Sequence, residues 1–229
     1  MALSSDDWTA IELSLRIALV ATLGSLPVAI LVAWVLARKR FPGRLALDAL
    51  VHLPLVLPPV VTGFLLLMLL GRRGPLGILL HDWFGITLAF RWTGAAVAGA
   101  VMSFPLMVRP IRLAFEAIDP KLERAAGSLG ASPAWRFALV TLPLALPGIL
   151  VGLLLGFAKA LGEFGATITF VSNIPGETRT IAAAIWTHVQ SPDGDAPALK
   201  LAVVSAGIAI GALALSEWLQ RRWTQRDML

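Results

Sequence analysis

The chain has 229 residues, of which 57% are hydrophobic and only 14% are charged, whereas an ordinary soluble domain has about 25% charged residues. This composition excludes a soluble domain and indicates a membrane protein. The net charge of +5 requires no nucleic-acid partner, because anionic membrane lipid attracts the same basic residues. Cysteine is absent, so disulfides and thiolate metal sites are excluded, and the three histidines stand far apart in sequence. No metal site is therefore expected.

Five runs without Asp, Glu, Lys or Arg mark candidate membrane spans. About 20 helical residues cross a bilayer core, and with their flanks these runs predict spans near residues 11–37, 47–71, 92–115, 137–160 and 199–220. The sequence therefore predicts an all-α polytopic membrane protein, with one transmembrane domain over residues 1–229 and about five transmembrane helices. The first run follows acidic residues and is longer than a signal-peptide core, so we expect it to be retained.

The distribution of basic residues predicts the orientation of these spans. Of the 19 Lys and Arg residues, 12 fall in segments 38–48, 109–136 and 217–229, which a five-span chain places on one side of the membrane. Positive charge is retained in the cytoplasm. We therefore expect the N-terminus outside, the C-terminus in the cytoplasm, and residues 116–136 in a cytoplasmic loop.

Proline and glycine patterns recur in the spans. LPLVLPP at Leu53–Pro59 and LPLALPG at Leu142–Gly148 predict a kink in the second and fourth spans, because each proline removes a backbone hydrogen bond. These kinks fit either bending at a packed interface or a translocation path. GxxxG pairs at Gly152–Gly156 and Gly207–Gly211 fit either packing within one subunit or dimerisation.

The outer connection after the fourth span holds a conspicuous carboxylate. Glu163 follows Lys159 by one helical turn, so the two residues could form an ion pair, and a proton relay is the alternative. Further on, the apolar segment Ile181–Val189 is too short to cross the membrane and is typical of a re-entrant or interfacial helix.

The loop before the fourth span is predicted to contain a short helix. Asp119 can cap it, Pro120 suits its first position, and Gly130 can end it after Lys121–Leu129. The following Ser132 can cap the helix that becomes the fourth span. The result is a short charged helix at the membrane surface.

This loop resembles the cytoplasmic motif of ABC importer permeases: Glu-Ala-Ala, three residues, Gly, nine residues, Ile, one residue, Leu-Pro. The matching residues are Ala125, Ala126, Gly130, Val140 in the Ile position, Leu142 and Pro143. Arg124 occupies the Glu position, and the acid is displaced to Glu123. The resemblance implies that this helix couples the permease to an ATPase, with Glu123 or Arg124 supplying the ionic contact.

Longer stretches extend the resemblance to most of the chain. HLPLVLPPVVTGFLLL, DWFGITLAF, SFPLMVRPIRLAFE and GEFGATITFVSNIPGETRTI are similar to the permease subunits of molybdate ABC importers. This implies the type I importer permease fold in a bacterial cytoplasmic membrane, a homodimer, two ATP-binding cassette subunits that carry ATP and Mg²⁺, and an extracytoplasmic oxyanion-binding protein. Molybdate is the implied substrate, with tungstate or sulfate as alternatives. The resemblance also implies that the chain itself is no enzyme, and the absence of GxxxxGK[ST] from the sequence agrees with this.

A tetrahedral dianion in transit needs hydrogen-bond donors, whereas fixed positive charge would trap it. Candidate path residues are Thr62, Ser103, Glu163, Thr167, Thr169, Ser172 and Asn173. The structural alternative for each hydroxyl is a bond back to its own helix.

Two other function classes compete with this interpretation. A proton-coupled secondary transporter working through Glu163 would need ionisable residues within the spans, and the five runs contain none. A membrane-embedded enzyme would need a clustered nucleophile, acid–base pair or metal set, and the sequence shows none.

Overall fold

A computed structural model describes residues 3–226. Every regular element in that range is helical. The elements are α1 (Ser5–Arg38), α2 (Arg44–Val56), α3 (Pro59–Leu70), α4 (Pro75–Phe84), α5 (Trp92–Ala117), α6 (Pro120–Ser128), α7 (Pro133–Arg136), a π-helical turn (Phe137–Thr141), α8 (Leu142–Leu161), α9 (Gly165–Val171), α10 (Ile181–Val189) and α11 (Asp195–Arg226).

Four helical stretches in the described range are long and apolar enough to cross a membrane. They are Ser5–Arg38, Trp92–Ala117, Pro133–Leu161 and Asp195–Leu215, and the pair α2 and α3 makes a fifth if it counts as one bent span. The predicted all-α polytopic fold with about five transmembrane helices is confirmed.

The first helix, α1, is 34 residues long and begins at a well-defined cap. The Ser4 hydroxyl accepts a hydrogen bond from the backbone N–H of Asp7, and the Asp7 carboxylate accepts one from the Ser4 N–H, at 3.1 Å each. This reciprocal cap satisfies two N–H groups that otherwise lack partners. At the far end the helix stops at Arg38, Lys39 is extended, and Gly43 then adopts a left-handed φ of +93° and turns the chain into α2. The 34 residues of α1 span about 51 Å, more than a bilayer core.

The second span is broken at its prolines rather than merely kinked. The helix ends at Val56 and restarts at Pro59, and the two halves lie at 115° to each other. Pro58 and Pro59 have no N–H to continue the helix, and Pro58 disfavours helical geometry at Leu57. Leu57 is accordingly extended.

The prolines of the fourth span are accommodated differently. Residues Pro133–Leu161 continue as one helical stretch of 29 residues, so the predicted kink takes the form of a π-helical turn at Phe137–Thr141. There the Leu142 N–H bonds to the Phe137 carbonyl. The wider turn falls just before Pro143, whose ring would clash with a regular helical carbonyl ladder.

Helices α1, α5 and α8 pack together and form the centre of the bundle. A Cβ on Gly152 would lie 2.7 Å from the Met107 carbonyl oxygen, and one on Gly156 would lie 2.5 Å from the Met107 Cγ. The first GxxxG pair therefore allows α8 to approach α5 within one chain. The second pair, Gly207–Gly211, has no such neighbour among the described residues.

The two ends of the bundle are distinguished by α6 and α10. Helix α6 lies beside the last turn of α1, through Arg38. Helix α10 lies against its first turns, where the Ser14 hydroxyl accepts from the Ile181 N–H at 2.7 Å and His188 Nε2 contacts the Asp7 carboxylate at 2.9 Å. The segment predicted to be re-entrant or interfacial thus packs on the N-terminal end of α1.

Candidate coupling helix and translocation path

The predicted short helix is present as α6. The Asp119 carboxylate accepts from the Lys121 N–H at 2.8 Å, and Pro120 occupies the first helical position. The helix ends at Ser128, and Gly130 follows with a left-handed φ of +87°. Only glycine adopts that conformation without steric cost.

Glu123 points from α6 into the bundle. Its carboxylate lies 3.2 Å from Arg38 Nη2 and accepts a hydrogen bond from the Thr141 hydroxyl at 2.8 Å. Arg38 also donates to the Ile118 carbonyl at 3.1 Å. One acid therefore ties α6 to the end of α1 and to the π-helical turn that leads into α8.

The opposite face of α6 is open. Arg124 and Ala125 are exposed, and Leu129 just beyond the helix is 90% exposed. From the sequence, either Glu123 or Arg124 could make the ionic contact with a partner. In the structure Glu123 is engaged within the chain, whereas Arg124 is exposed.

The remaining motif residues have different surroundings. Ala126 is half-buried on α6, and Val140 is half-buried in the π-helical turn. Leu142 packs against the hydrophobic cluster at the α6 end, while Pro143 is exposed. These residues shape the start of α8. Neither Arg38 nor Thr141 was predicted to contact α6, and the displaced acid at position 123 was the one signal in the sequence for such a contact.

Glu163 is buried at the junction of α8 and α9. Its side chain is 1% exposed and lies 2.5 Å from Lys159 Nζ. The other carboxylate oxygen accepts from the Ala166 N–H at 2.9 Å. Glu163 therefore combines an ion pair with a cap on α9, and this geometry matches the simpler of the two predicted roles.

Most of the candidate donors are already occupied. Ser103, Thr167 and Thr169 donate to the carbonyls of Ala100, Phe164 and Gly165, at 3.2, 2.8 and 2.8 Å respectively. Such bonds back to the same helix or its cap are the ordinary state of a hydroxyl in a membrane span.

Two further candidates lie beyond the end of α9. Asn173 donates to the Thr187 hydroxyl and accepts from Arg179 Nε, at 2.8 and 3.0 Å. Ser172 is exposed and has a φ of +66°, an uncommon backbone conformation for a residue other than glycine. These two residues help to shape the loop between α9 and α10.

Thr62 differs from the other candidates. It is 5% exposed, and its hydroxyl has no hydrogen-bond partner within residues 3–226. It lies in the first turn of α3 after the break and lines a cavity of about 230 Å³ between α2, α3 and α5. A buried hydroxyl without a partner loses about 1–3 kcal/mol of solvation. Such a group is a candidate for transient contact with a ligand.

The structure brings only some of the candidates together. Helices α3 and α9 pack closely at Gly63, where a Cβ would lie 2.5 Å from the Ala166 carbonyl oxygen and 2.9 Å from Thr169 Cβ. This places Thr62 and Thr169 on adjoining helices, with Glu163 at the start of α9. Ser103 is on α5.

Residues 25–225 match the family described as "Binding-protein-dependent transport system inner membrane component". The chain belongs to this family. The family description and the apolar helices agree. Both indicate a multi-pass component of a binding-protein-dependent transport system in an inner membrane.

Individual relatives cover nearly the whole chain of this permease. The Molybdenum transport system permease protein ModB of Escherichia coli K12 is 59% identical over 222 residues, 96% of each chain. The protein of the same name in Haemophilus influenzae is 53% identical over 219 residues, 95% of each chain. The Sulfate transport system permease protein CysT of Escherichia coli K12 is 36% identical over 220 residues, 95% of this chain and 78% of that protein.

Solved structures share the fold of this permease. A bacterial ABC transporter for import of the polysaccharide alginate matches with a TM-score of 0.73 at 19% identity, covering 96% of this chain and 80% of that chain. An amino acid ABC transporter matches with a TM-score of 0.65 at 20% identity, covering 95% and 94%. The importer permease fold predicted from the resemblance is confirmed.

Proposed function

We propose that this chain is the membrane-spanning permease subunit of an ATP-driven importer of molybdate. The observation that carries this proposal is the 59% identity to a molybdenum permease over 96% of both chains. The sulfate permease relatives are more distant, at 36% identity, so sulfate is the second candidate. Tungstate is a dianion of the same shape and charge as molybdate, so we expect it to share the route.

Helix α6 is the proposed docking site for the ATPase. Its open face carries Arg124, Ala125 and the nearby Leu129, while its other face is held by Glu123. A helix fixed on one side and open on the other can pass movement of a partner into the spans. We infer one ATP-binding cassette subunit for each permease, with ATP and Mg²⁺ bound on that subunit.

The proposed assembly contains two permeases and an outer binding protein. Helices α2 and α3 leave large apolar side chains uncovered, with Val56 80% exposed and Val60 55% exposed, and lipid or a second copy would cover them. The excess of basic residues in the segments on the α6 side supports a cytoplasmic location for α6. In that orientation the N-terminus is outside and α10 is on the side of the binding protein.

The substrate is tested by competition for uptake. Proteoliposomes with the complete transporter are given radiolabelled molybdate, with unlabelled tungstate or sulfate in hundredfold excess. We expect tungstate to suppress uptake as strongly as the same excess of unlabelled molybdate does. Sulfate should leave most of the uptake of labelled molybdate intact. If sulfate suppresses uptake as well as tungstate does, the molybdate assignment is wrong.

Gly130→Val is expected to uncouple ATP hydrolysis from transport. A residue other than glycine at the φ of +87° costs about 1–2 kcal/mol, and a β-branched one costs more, so the turn after α6 should reorganise. We expect molybdate transported per ATP hydrolysed to fall severalfold, with normal amounts of protein in the membrane.

Two matched variants control this change. Gly130→Asn should have a milder effect, because asparagine tolerates left-handed backbone better. Gly85→Val places the same strain at a φ of +67° after α4, far from α6, and should leave the transport ratio unchanged. Equal transport ratios in Gly130→Val and the wild type would contradict the placement of the docking site.

Thr62→Val is expected to separate stability from transport. Replacing the unpaired buried hydroxyl with a methyl group of similar shape should raise the free energy of unfolding by about 1 kcal/mol. If Thr62 donates to the anion in transit, uptake should fall severalfold and Thr62→Ser should restore it. As a control, Thr22→Val removes a hydroxyl that is bonded to the Ala18 carbonyl at 2.7 Å, so the free energy of unfolding should not rise. Unchanged uptake by Thr62→Val would remove Thr62 from the path.

A further inference from the structure

A charged cavity lies between α2 and α5 near the α6 end of the bundle. It is open to the outside, has a volume of about 370 Å³, and is lined by Asp48, His52, Arg109, Arg112, Leu113 and Glu116. This volume is at the lower end of the range for small-ligand sites. The cavity differs from its neighbours, because those along α2 are lined almost entirely by apolar side chains.

Helical spacing aligns these charges along two facing stripes. Arg109, Arg112 and Glu116 recur at three and four residues along α5, so they share one helix face. Asp48 and His52 are four residues apart on α2. Arg112 Nη1 joins the two stripes through the Asp48 carboxylate at 3.0 Å.

The carboxylates of the cavity are already engaged. Arg112 also pairs with Glu116 at 2.8 Å, and His52 Nδ1 lies 2.8 Å from the Asp48 carbonyl oxygen and 3.4 Å from the Asp48 carboxylate. Arg44 approaches Glu116 at 4.0 Å. Two negative charges are therefore shared among several cationic or hydrogen-bonding groups.

Among the described charged residues around the cavity, Arg109 is the cation whose side chain has no partner. It is exposed on the cavity wall, and its guanidinium makes no hydrogen bond or ion pair with the part of the chain that the structure describes. Arg44, Arg109 and Arg112 together carry three positive charges against two carboxylates. The cavity therefore has an unneutralised positive charge at Arg109.

The chemistry of guanidinium specifies the ligand class. Its planar donors match two oxygens of a phosphate or similar anion, and such charge-assisted bonds are stronger than neutral ones. Arg109 is about 12 Å along α5 from the helix end at Ala117, within reach of a membrane surface for a long side chain. A metal cation is disfavoured by the net positive charge.

We propose that Arg109, supported by the paired Arg112, binds one tetrahedral oxyanion group in this cavity. The group has two possible sources, the phosphate of an anionic lipid headgroup and the transported anion. A fixed positive charge slows the release of an anion in transit, which favours the lipid. The lipid source is independent of the proposed function, whereas the transported anion rests on it.

Two measurements on the full-length protein distinguish the sources. In the first, native mass spectrometry follows retention of phosphatidylglycerol against phosphatidylcholine from an equimolar mixture. In the second, equilibrium dialysis in lipid-free detergent follows radiolabelled molybdate. Arg109→Gln is compared with two other variants. Arg91→Gln changes an exposed arginine at the opposite end of α5, and Arg109→Lys keeps the positive charge without the planar donors of guanidinium.

We expect Arg109→Gln to reduce retention of phosphatidylglycerol at least tenfold, Arg109→Lys to reduce it less, and Arg91→Gln to leave it unchanged. Arginine-dependent binding of molybdate in detergent would support the same site with the transported anion as its ligand. If Arg109→Gln and Arg91→Gln behave alike in both measurements, the proposal is overturned. Failure of the proposed function would instead appear as absence of molybdate uptake by the wild type, and the lipid measurement does not depend on that uptake.

Discussion

Glu123→Gln is expected to reduce ATP-driven molybdate uptake about tenfold while the protein still inserts into the membrane. The change removes the negative partner of Arg38, whose side chain is 16% exposed and whose Nε has no hydrogen-bond partner among the described residues. Weakening a charged contact of this kind costs about 1–3 kcal/mol. Helix α6 would then be loosely held against α1 and α8. Uptake and ATP hydrolysis measured in the same proteoliposomes test this expectation.

The neighbouring residue gives the matched comparison. Arg124 is the next residue on α6 and is exposed, so Arg124→Glu should weaken binding of the ATPase subunit rather than loosen α6. We expect a lower affinity in a binding assay for Arg124→Glu, and a near-normal affinity with poor transport for Glu123→Gln. The reverse pattern would show that Glu123 contacts the ATPase, and normal transport by both variants would remove ionic docking from the account.

Breaking the pair between Lys159 and Glu163 is expected to have the largest effect on stability. Glu163 is 2% exposed overall, so Lys159→Met would leave a buried carboxylate without its cation. Removal of one partner from a buried pair costs about 3–5 kcal/mol, and we expect about 3 because Lys159 is partly exposed. Thermal unfolding in detergent measures the loss.

A second substitution should reverse most of this loss. In Lys159→Met with Glu163→Gln no buried charge remains, and the glutamine oxygen can still accept from the Ala166 N–H as the carboxylate does. We expect the double variant to be more stable than Lys159→Met alone. If the losses of stability caused by Lys159→Met and Glu163→Gln alone simply add in the double variant, Glu163 is not a cap paired with Lys159. Loss of pH-gradient-driven uptake in Glu163→Gln would favour the proton-coupled alternative.

Local patterns in the sequence were sufficient for several features of the fold. The prolines of LPLVLPP predicted a distorted second span, because a missing N–H acts on its own helix. Asp119, Pro120 and Gly130 predicted α6 almost to the residue, since caps and left-handed turns are local. The same local rules could not distinguish a 115° break at Pro58 from a π-helical turn before Pro143, because tertiary packing decides between them.

Contacts between distant residues were beyond sequence reasoning. Arg38 and Glu123 are 85 positions apart, and nothing in either segment specifies the other. Their meeting changes the interpretation of the displaced acid, which holds α6 to the bundle. Thr62 is similar, since its hydroxyl has no partner in the part of the chain that the structure describes, whereas those of Ser103 and Thr169 are bonded. The sequence could name these donors but could not rank them.

Uptake of radiolabelled molybdate into sealed proteoliposomes that contain this chain tests whether it is the permease of an ATP-driven importer. The ATPase subunit and the binding protein are added or omitted one at a time, with ATP on the face that carries α6. We expect uptake only when the ATPase subunit, the binding protein and ATP are all present. Uptake by the chain alone, driven by a pH gradient, would contradict this expectation.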